Sequence, residues 1–95
     1  MLELSIVIPV FNEQDSLNEL VQRIEQVVVP AGLAYEVVLV DDGSSDASWT
    51  NIAGLAESSS HVRGLKLRRN FGKAAALAAG FERAAGQLII TMDAD

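Results

Sequence analysis

Two acidic residues follow the last apolar stretch of the chain at a spacing that suits cation binding. Residues 88–92 are apolar and rich in β-branched side chains, which predicts a buried strand, and Asp93 and Asp95 come directly after it. Two carboxylates this close repel each other unless a cation or hydrogen-bond donors lie between them. A hard divalent ion that also holds substrate phosphates meets this need. The alternative is a solvated turn, in which aspartate is common.

The segments before this motif predict the sheet that must position it. Apolar runs at residues 5–10, 35–40, 62–67 and 88–92 predict four strands, and helical patterns separate them. This alternation with short connections predicts an α/β fold, with a mostly parallel sheet and helices on both faces. The first strand should end near Pro9, because proline cannot donate a hydrogen bond to a neighbouring strand.

The helices carry their own start and packing signals. Ser16 and Glu19 have the spacing of a capping box, and Ser45 or Asp46 can cap the second helix. Gly80, inside the alanine-rich third helix, indicates close packing against the sheet, since glycine there costs about 1 kcal/mol relative to alanine. The first helix should bury one face formed by Leu17, Leu20, Val21, Ile24, Val27 and Val28.

Three acidic sets follow predicted strands. Glu13 comes after the first strand, Asp41 with Asp42 after the second, and Asp93 with Asp95 after the fourth. The carboxyl ends of parallel strands meet at one edge of a sheet, which is where ligands bind in open α/β folds. This convergence favours a binding site over turn and capping chemistry.

Composition limits the classes of protein that remain. With 95 residues, 49% hydrophobic and 21% charged, the chain fits at most one globular domain. Its net charge of -6 argues against a nucleic-acid surface, although every basic residue except Arg23 lies after residue 60 and that cluster could meet phosphate. The absence of cysteine excludes disulfides and thiolate metal sites. No apolar run approaches the roughly 18 residues of a membrane span.

Two common phosphate-binding motifs are missing. The first strand leads into Pro9-Val10-Phe11-Asn12-Glu13 instead of G-x-G-x-x-G, and Gly72-Lys73 is followed by Ala74, which breaks the P-loop pattern. An acidic edge can still bind a nucleotide, because a carboxylate accepts hydrogen bonds from ribose hydroxyls or base N–H groups and a metal neutralises the diphosphate. These features predict a nucleotide-sugar site.

Four motifs together resemble glycosyltransferase family 2. They are Ile6–Glu13, Val40–Asp46, Asn70–Lys73 and Met92–Asp95, in the family's order and spacing. Within the family they look most like the polyprenyl-phosphate branch, the dolichyl-phosphate mannose synthase-like enzymes and their bacterial relatives. The resemblance implies the Rossmann-like nucleotide-binding half of a glycosyltransferase A-type fold, with residues 1–95 an incomplete part of one domain that stops after the fourth strand.

The resemblance also implies roles for individual residues. Asp93 and Ala94 would contact ribose and diphosphate, Asp95 would be the main ligand of Mg²⁺ or Mn²⁺, and Asp93 and Asp95 together would form the catalytic motif. Lys73 is either a cation near phosphate or a solvated lysine at a helix start. Phe11, often tyrosine in the family, can pack on a base but lacks the hydroxyl. The positions expected around base and ribose are Pro9, Phe11, Glu13, Val40 and Asp42, with Asp41 beside them.

The implied reaction is transfer of a hexose from a UDP- or GDP-sugar to a polyprenyl phosphate, which the present residues alone are not expected to complete. The expected location is cytoplasmic, at the inner face of the cell membrane, with membrane contact through segments after Asp95 and no nucleic-acid partner. Two alternatives stay open. A Mg²⁺-dependent phosphotransfer domain of the haloacid dehalogenase type would place its D-x-D after the first strand, and a receiver-type signalling domain would need a phosphorylatable Asp at a middle strand.

Overall fold

The computed structural model describes residues 1–94, so Asp95 lies outside the described residues. The described strands are all parallel and lie in the order β3-β2-β1-β4. The predicted α/β fold is therefore confirmed. The strands are β1 (Leu4–Val10), β2 (Tyr35–Asp41), β3 (Val62–Lys66) and β4 (Leu88–Thr91), and the helices are α1 (Leu17–Val28), α2 (Ser48–Ser58) and α3 (Lys73–Arg83).

The central strands β1 and β2 are buried from both sides. Successive side chains of a strand point to opposite faces, so the two strands supply two separate cores. On one face their side chains pack against α1 and α2, and on the other against α3, as predicted. The first core includes Ile6, Ile8, Val10, Val37 and Leu39, with Leu17, Val21, Ile24 and Ile52 from the helices. The second is formed by Val7, Val38, Val40 and Ala76.

Helix α3 approaches the sheet closely at Gly80. A Cβ atom at this position would overlap Cγ1 of Val7 and would lie 3.2 Å from Cγ2 of Val40. The predicted close packing at Gly80 is confirmed. Its effect is to hold the start of α3 near the carboxyl ends of β1 and β2.

Strand β1 ends at Val10, one residue past Pro9, which agrees with the prediction that it ends near Pro9. Pro9 pairs in register with Val40 of β2, and Val10 with Asp41. The carbonyl of Val7 accepts a hydrogen bond from Met92, whereas that of Val10 accepts one from Asp42 on the opposite side. By the alternation of the strand, the missing N–H of Pro9 faces the β4 side, where pairing has already ended at Thr91. The proline therefore breaks no ladder bond.

The prediction that the fourth strand is buried is wrong. Leu88, Ile89 and Ile90 are 61%, 40% and 37% exposed. Strand β4 lies at the edge of the sheet and has only β1 as a partner among the described strands. Its apolar composition resembles that of a buried strand. However, the described helices do not cover β4 as fully as they cover β1.

The predictions for α1 were also partly wrong. Val27 is 70% exposed, and the buried face consists of Leu17, Val21, Ile24 and Val28. Ser16 holds the N-cap position without a capping hydrogen bond, because its φ of -109° and ψ of -12° are helical instead of extended. The N-cap residue of α2 is Ala47, without a side-chain capping hydrogen bond, so neither Ser45 nor Asp46 holds the predicted position. Asp46 still accepts a hydrogen bond from the N–H of Ser48 at 2.8 Å.

A buried polar network lies near the amino ends of the strands, away from the acidic edge. Glu36 of β2 is 3% exposed, and its Oε2 accepts hydrogen bonds from the hydroxyl of Ser5 at 2.6 Å and the N–H of Ala85 at 2.7 Å. Its Oε1 accepts a hydrogen bond from Arg63 at 3.2 Å. Burial alone would raise the pKa of Glu36, but the hydrogen bonds from Ala85, Ser5 and Arg63 outweigh it and hold that pKa below its ordinary value.

Candidate functional site

A cavity of about 160 Å³ opens at the carboxyl ends of the strands. It lies at β1, where the chain order reverses, since β2 and β3 extend the sheet to one side and β4 to the other. Such a switch point is where open α/β sheets bind ligands. The cavity is lined by Pro9, Val10, Phe11, Glu13, Asp42, Lys73, Asp93 and Ala94. All of these except Val10 were proposed as site residues from the sequence.

Two of the predicted positions do not line the cavity. Val40 is fully buried in the core against α3. Asp41 is also fully buried; its Oδ1 accepts a hydrogen bond from the N–H of Ser44 at 3.3 Å, and its Oδ2 has no partner within residues 1–94. Asp41 therefore shapes the turn after β2, and the nucleotide contacts expected of Val40 and Asp41 stay predictions.

Asp42 is held in place by the loop that precedes α3. Its Oδ1 accepts the N–H of Phe71 at 2.8 Å and its Oδ2 accepts the N–H of Gly72 at 3.1 Å. The side-chain amide of Asn70 donates to the Asp42 carbonyl at 3.1 Å. Because these donors compensate the negative charge of a residue only 4% exposed, the carboxylate is fixed at the cavity wall.

Gly43 allows this loop to come so close. Its φ is +73°, and a Cβ there would overlap the backbone of Arg69 and Asn70. Only glycine satisfies both the dihedral angle and the space. The turn after β2 and the loop before α3 thus form one wall.

Hydrogen bonds that were not predicted from the sequence join the loop after β1 to the turn after β2. Asn12, with φ of +53°, accepts hydrogen bonds at its Oδ1 from the N–H groups of Ser45 at 2.8 Å and Asp46 at 3.3 Å. The N–H of Glu13 donates to the hydroxyl of Ser48 at 2.9 Å. These bonds orient the segment that carries two cavity residues. The sequence did contain one indication of this contact. Asparagine tolerates positive φ, and the turn after the second strand is rich in serine.

Lys73 and Asp93 form an ion pair at the mouth of the cavity. The Nζ of Lys73 lies 2.6 Å from Oδ1 of Asp93, and both side chains are 62% exposed. An exposed pair of this kind contributes little to stability. It does place a cation and an anion together beside the cavity, where incoming phosphates and a metal would meet them.

Within residues 1–94, the cavity offers carboxylate oxygens, the ligand type that hard divalent cations prefer. Within residues 1–94 no three histidine, cysteine or carboxylate side chains are grouped so as to hold a metal. Mg²⁺, however, commonly uses one or two carboxylates together with substrate phosphates and water. Asp93 supplies one exposed carboxylate beside the cavity, and Asp95 is the second acidic residue of the motif. The residues present fit such a cation.

Residues 5–95 match the model of the family described as Glycosyl transferase family 2. The chain belongs to this family. The family assignment favours glycosyl transfer over phosphotransfer and receiver-type signalling, which the sequence alone had left open. It also confirms the resemblance drawn from the four motifs.

Curated relatives show which family 2 members the chain is similar to. The undecaprenyl-phosphate 4-deoxy-4-formamido-L-arabinose transferase of Klebsiella pneumoniae strain ATCC 700721 is 49% identical over 94 residues. This match covers 98% of the chain and 29% of the relative. The chain thus spans less than a third of the length of the curated relatives it matches.

Solved structures agree on the fold. The mannosyltransferase PcManGT from Pyrobaculum calidifontis, solved with GDP-Man and Mn²⁺, is 26% identical with a TM-score of 0.86, over 98% of this chain and 27% of that one. The first 349 residues of S. aureus TarS give a TM-score of 0.85 at 22% identity, over 99% of this chain and 28% of that one. The family 2 chain therefore has the predicted glycosyltransferase A-type fold. In the described part of the chain, none of the helices is long and apolar enough to cross a membrane.

Proposed function

We propose that this chain forms the nucleotide-sugar half of a glycosyltransferase that moves a sugar from a nucleoside diphosphate to a polyprenyl phosphate. The observation that carries the proposal is the cavity at the strand switch point, where Glu13, Asp42 and Asp93 come from three different loops to one place. Family membership and the curated relatives support the same activity. The relatives' name specifies an arabinose derivative, so the proposal covers sugar transfer in general and is not restricted to the hexose expected from the sequence.

The inner part of the cavity would hold the nucleoside. Pro9 and Phe11 offer apolar surface on which a base can pack, and Glu13 and Asp42 offer carboxylate oxygens to ribose hydroxyls or a base N–H. Asp42 is already oriented by the loop before α3, so little ordering is required when the nucleoside binds.

The mouth of the cavity would hold the diphosphate. Lys73 would offer its ammonium to a phosphate oxygen, and Asp93 with Ala94 would lie against ribose and diphosphate. Asp93 and Asp95 would hold Mg²⁺ or Mn²⁺, which when bound stabilises negative charge on the departing diphosphate. The ammonium of Lys73 would act on the same charge from the side of α3.

The acceptor would be an ionised lipid phosphate. Such an oxygen is nucleophilic near neutral pH and needs little help from a general base. A lipid acceptor places the reaction at a membrane, and a nucleotide-sugar donor places it on the cytoplasmic face.

Calorimetric titration of the purified protein with UDP and with GDP, each with Mn²⁺ or with EDTA, tests this function. We expect one of the two nucleotides to bind with Mn²⁺ and to bind at least about tenfold more weakly without it. The corresponding monophosphate serves as the control, since it lacks the second phosphate. If neither diphosphate binds, the nucleotide site is refuted; if metal makes no difference, the metal role is refuted.

Asp42→Asn is expected to weaken nucleotide binding by about 10- to 100-fold. The amide that replaces one carboxylate oxygen would face the N–H groups of Phe71 or Gly72, donor against donor, and hydrogen bonds to a charged group contribute about 1.5–3 kcal/mol. The loop before α3 would then move away from the cavity. Calorimetric titration with nucleotide and Mn²⁺ measures the loss.

Asp46→Asn is the matched control for this substitution. Asp46 also accepts backbone N–H groups, from Ser48 and Gln14, but it does not line the cavity. Nucleotide affinity that falls equally in both variants would show that Asp42 has only a structural role.

A further inference from the structure

We propose that Ser16 is a positioning residue for the acidic motif, acting through the carbonyl of Ala94. This inference rests on the proposed function, because it concerns the residues assigned there to the diphosphate and the metal. Ser16 does not line the main cavity, and neither its residue type nor its place before α1 marks it as part of the site.

The hydroxyl of Ser16 makes one short hydrogen bond. It donates to the Ala94 carbonyl at 2.8 Å, across 78 residues of sequence. The two competing acceptors, the carbonyl and Oε2 of Glu13, lie farther away at 3.2 and 3.4 Å. Hydroxyl donors prefer about 2.5–3.0 Å, so the single proton goes to Ala94.

The Ser16 hydroxyl does not cap its own helix. A serine at an N-cap commonly accepts an N–H of the first helical turn, and losing that bond costs about 1 kcal/mol. Here the hydroxyl makes no such bond. The helical φ and ψ of Ser16 prevent the cap, so the hydrogen bond to the Ala94 carbonyl is the short contact that this hydroxyl makes.

The carbonyl in question belongs to the middle residue of Asp93-Ala94-Asp95. The last hydrogen bond between the described end of β4 and β1 runs from the N–H of Met92 to the carbonyl of Val7 at 3.2 Å. After Met92, hydrogen bonds to β1 no longer orient the described chain. The Ala94 carbonyl is part of the peptide group that joins Ala94 to Asp95, so the bond from Ser16 restrains the direction in which the motif continues.

Ser16 also connects this motif to the loop after β1. Its backbone N–H donates to the carbonyl of Glu13 at 3.1 Å, while its hydroxyl donates to Ala94. Ala94 itself is only 6% exposed. One residue therefore sets the spacing between the loop after β1 and the acidic motif.

Removing the hydroxyl should loosen the motif without dismantling the fold. Groups that orient metal ligands typically change metal affinity by 10–100-fold when mutated. Since Ser16 acts through one peptide carbonyl, Ser16→Ala is expected to weaken Mn²⁺ binding by about tenfold. Ser16→Thr keeps the hydroxyl and is expected to stay near the wild-type affinity.

The test measures Mn²⁺ affinity by electron paramagnetic resonance in the presence of UDP or GDP, and nucleotide affinity in EDTA. Ser58→Ala is the matched control, because the Ser58 hydroxyl also donates to a backbone carbonyl, that of Leu55 at 3.2 Å, but far from the motif in sequence. We expect weaker Mn²⁺ binding in Ser16→Ala alone, with metal-free nucleotide affinity and thermal midpoint close to wild type.

Three results would overturn the inference. Unchanged Mn²⁺ affinity in Ser16→Ala, while the wild type binds Mn²⁺ with nucleotide, refutes the role of Ser16 and leaves the proposed function standing. Equal losses in Ser16→Ala and Ser58→Ala show a general loss of stability instead of positioning. A wild-type protein that binds no nucleotide with Mn²⁺ refutes the proposed function itself and this inference with it.

Discussion

In the complete glycosyltransferase that we propose contains this chain, replacing Asp95 with alanine is expected to lower sugar transfer by about three orders of magnitude. It should also abolish the effect of Mn²⁺ on nucleotide binding. The departing diphosphate gains negative charge as the glycosidic bond breaks, and Lys73 alone would remain among the proposed groups to stabilise it. The motif would keep only Asp93, which is already paired with Lys73 at 2.6 Å. Transfer of a radiolabelled sugar to undecaprenyl phosphate and calorimetric titration with nucleotide measure the two effects.

Asp15→Ala is a suitable control for the loss of one negative charge. Asp15 is exposed in the loop before α1 and does not line the cavity. We expect it to leave both transfer and the Mn²⁺ effect unchanged. Metal-dependent nucleotide binding that survives in Asp95→Ala would refute the metal role of Asp95, while the nucleotide site could stand.

The largest effect on stability is expected from Glu36→Gln, a loss of about 2–4 kcal/mol in the free energy of unfolding. The replacement removes the charge of the carboxylate, and its NH₂ group faces either the guanidinium of Arg63, in the place of Oε1, or the N–H of Ala85 and the hydroxyl of Ser5, in the place of Oε2. In both orientations the donors lose hydrogen bonds to a charged acceptor. Buried donors left without acceptors cost about 1–3 kcal/mol each. Arg63 loses its partner too, but at 44% exposure it can turn to water, so its share is small. Urea unfolding at pH 7 measures the loss.

The same residue predicts a pH dependence of stability. Because the pKa of Glu36 is lower in the folded state, the stabilisation is fully present above the unfolded glutamate pKa of about 4.3 and disappears as pH falls through the lowered value. The gap in unfolding free energy between wild type and Glu36→Gln should therefore narrow below about pH 4. Glu19→Gln, which removes an exposed ion pair with Arg23, is the control and should cost less than about 0.5 kcal/mol. A constant gap between pH 5 and 3 would contradict the assignment.

The sequence was sufficient for the architecture and for most of the cavity lining. Alternating apolar runs and helical patterns required a parallel sheet, and a parallel sheet brings the ends of its strands to one edge. Residues that immediately follow a strand, such as Asp42 and Asp93, were therefore placed correctly without knowledge of any contact. Their functional roles remain predictions, since position alone does not show what they bind.

The sequence could not show the direction of each side chain or its long-range partner. Val40 and Asp41 belong to the same motif as Asp42, but they still lie within β2 and are buried, whereas Asp42 has left the strand. Asn12 and Ser16 are common loop and helix-start residues, and their partners lie more than thirty residues away. An apolar run likewise gives no information on whether another element covers it, which is why the exposure of β4 was missed.

Pro9 gives the cavity a property that its lining residues alone do not explain. Where β1 and β4 separate, every other residue type would present an N–H that needs either a strand partner or water. Proline presents none, so the opening between the two strands exists without a broken hydrogen bond. Under the proposed function, a nucleotide that binds beside Pro9 would not have to separate the two strands or remove water from a backbone amide there.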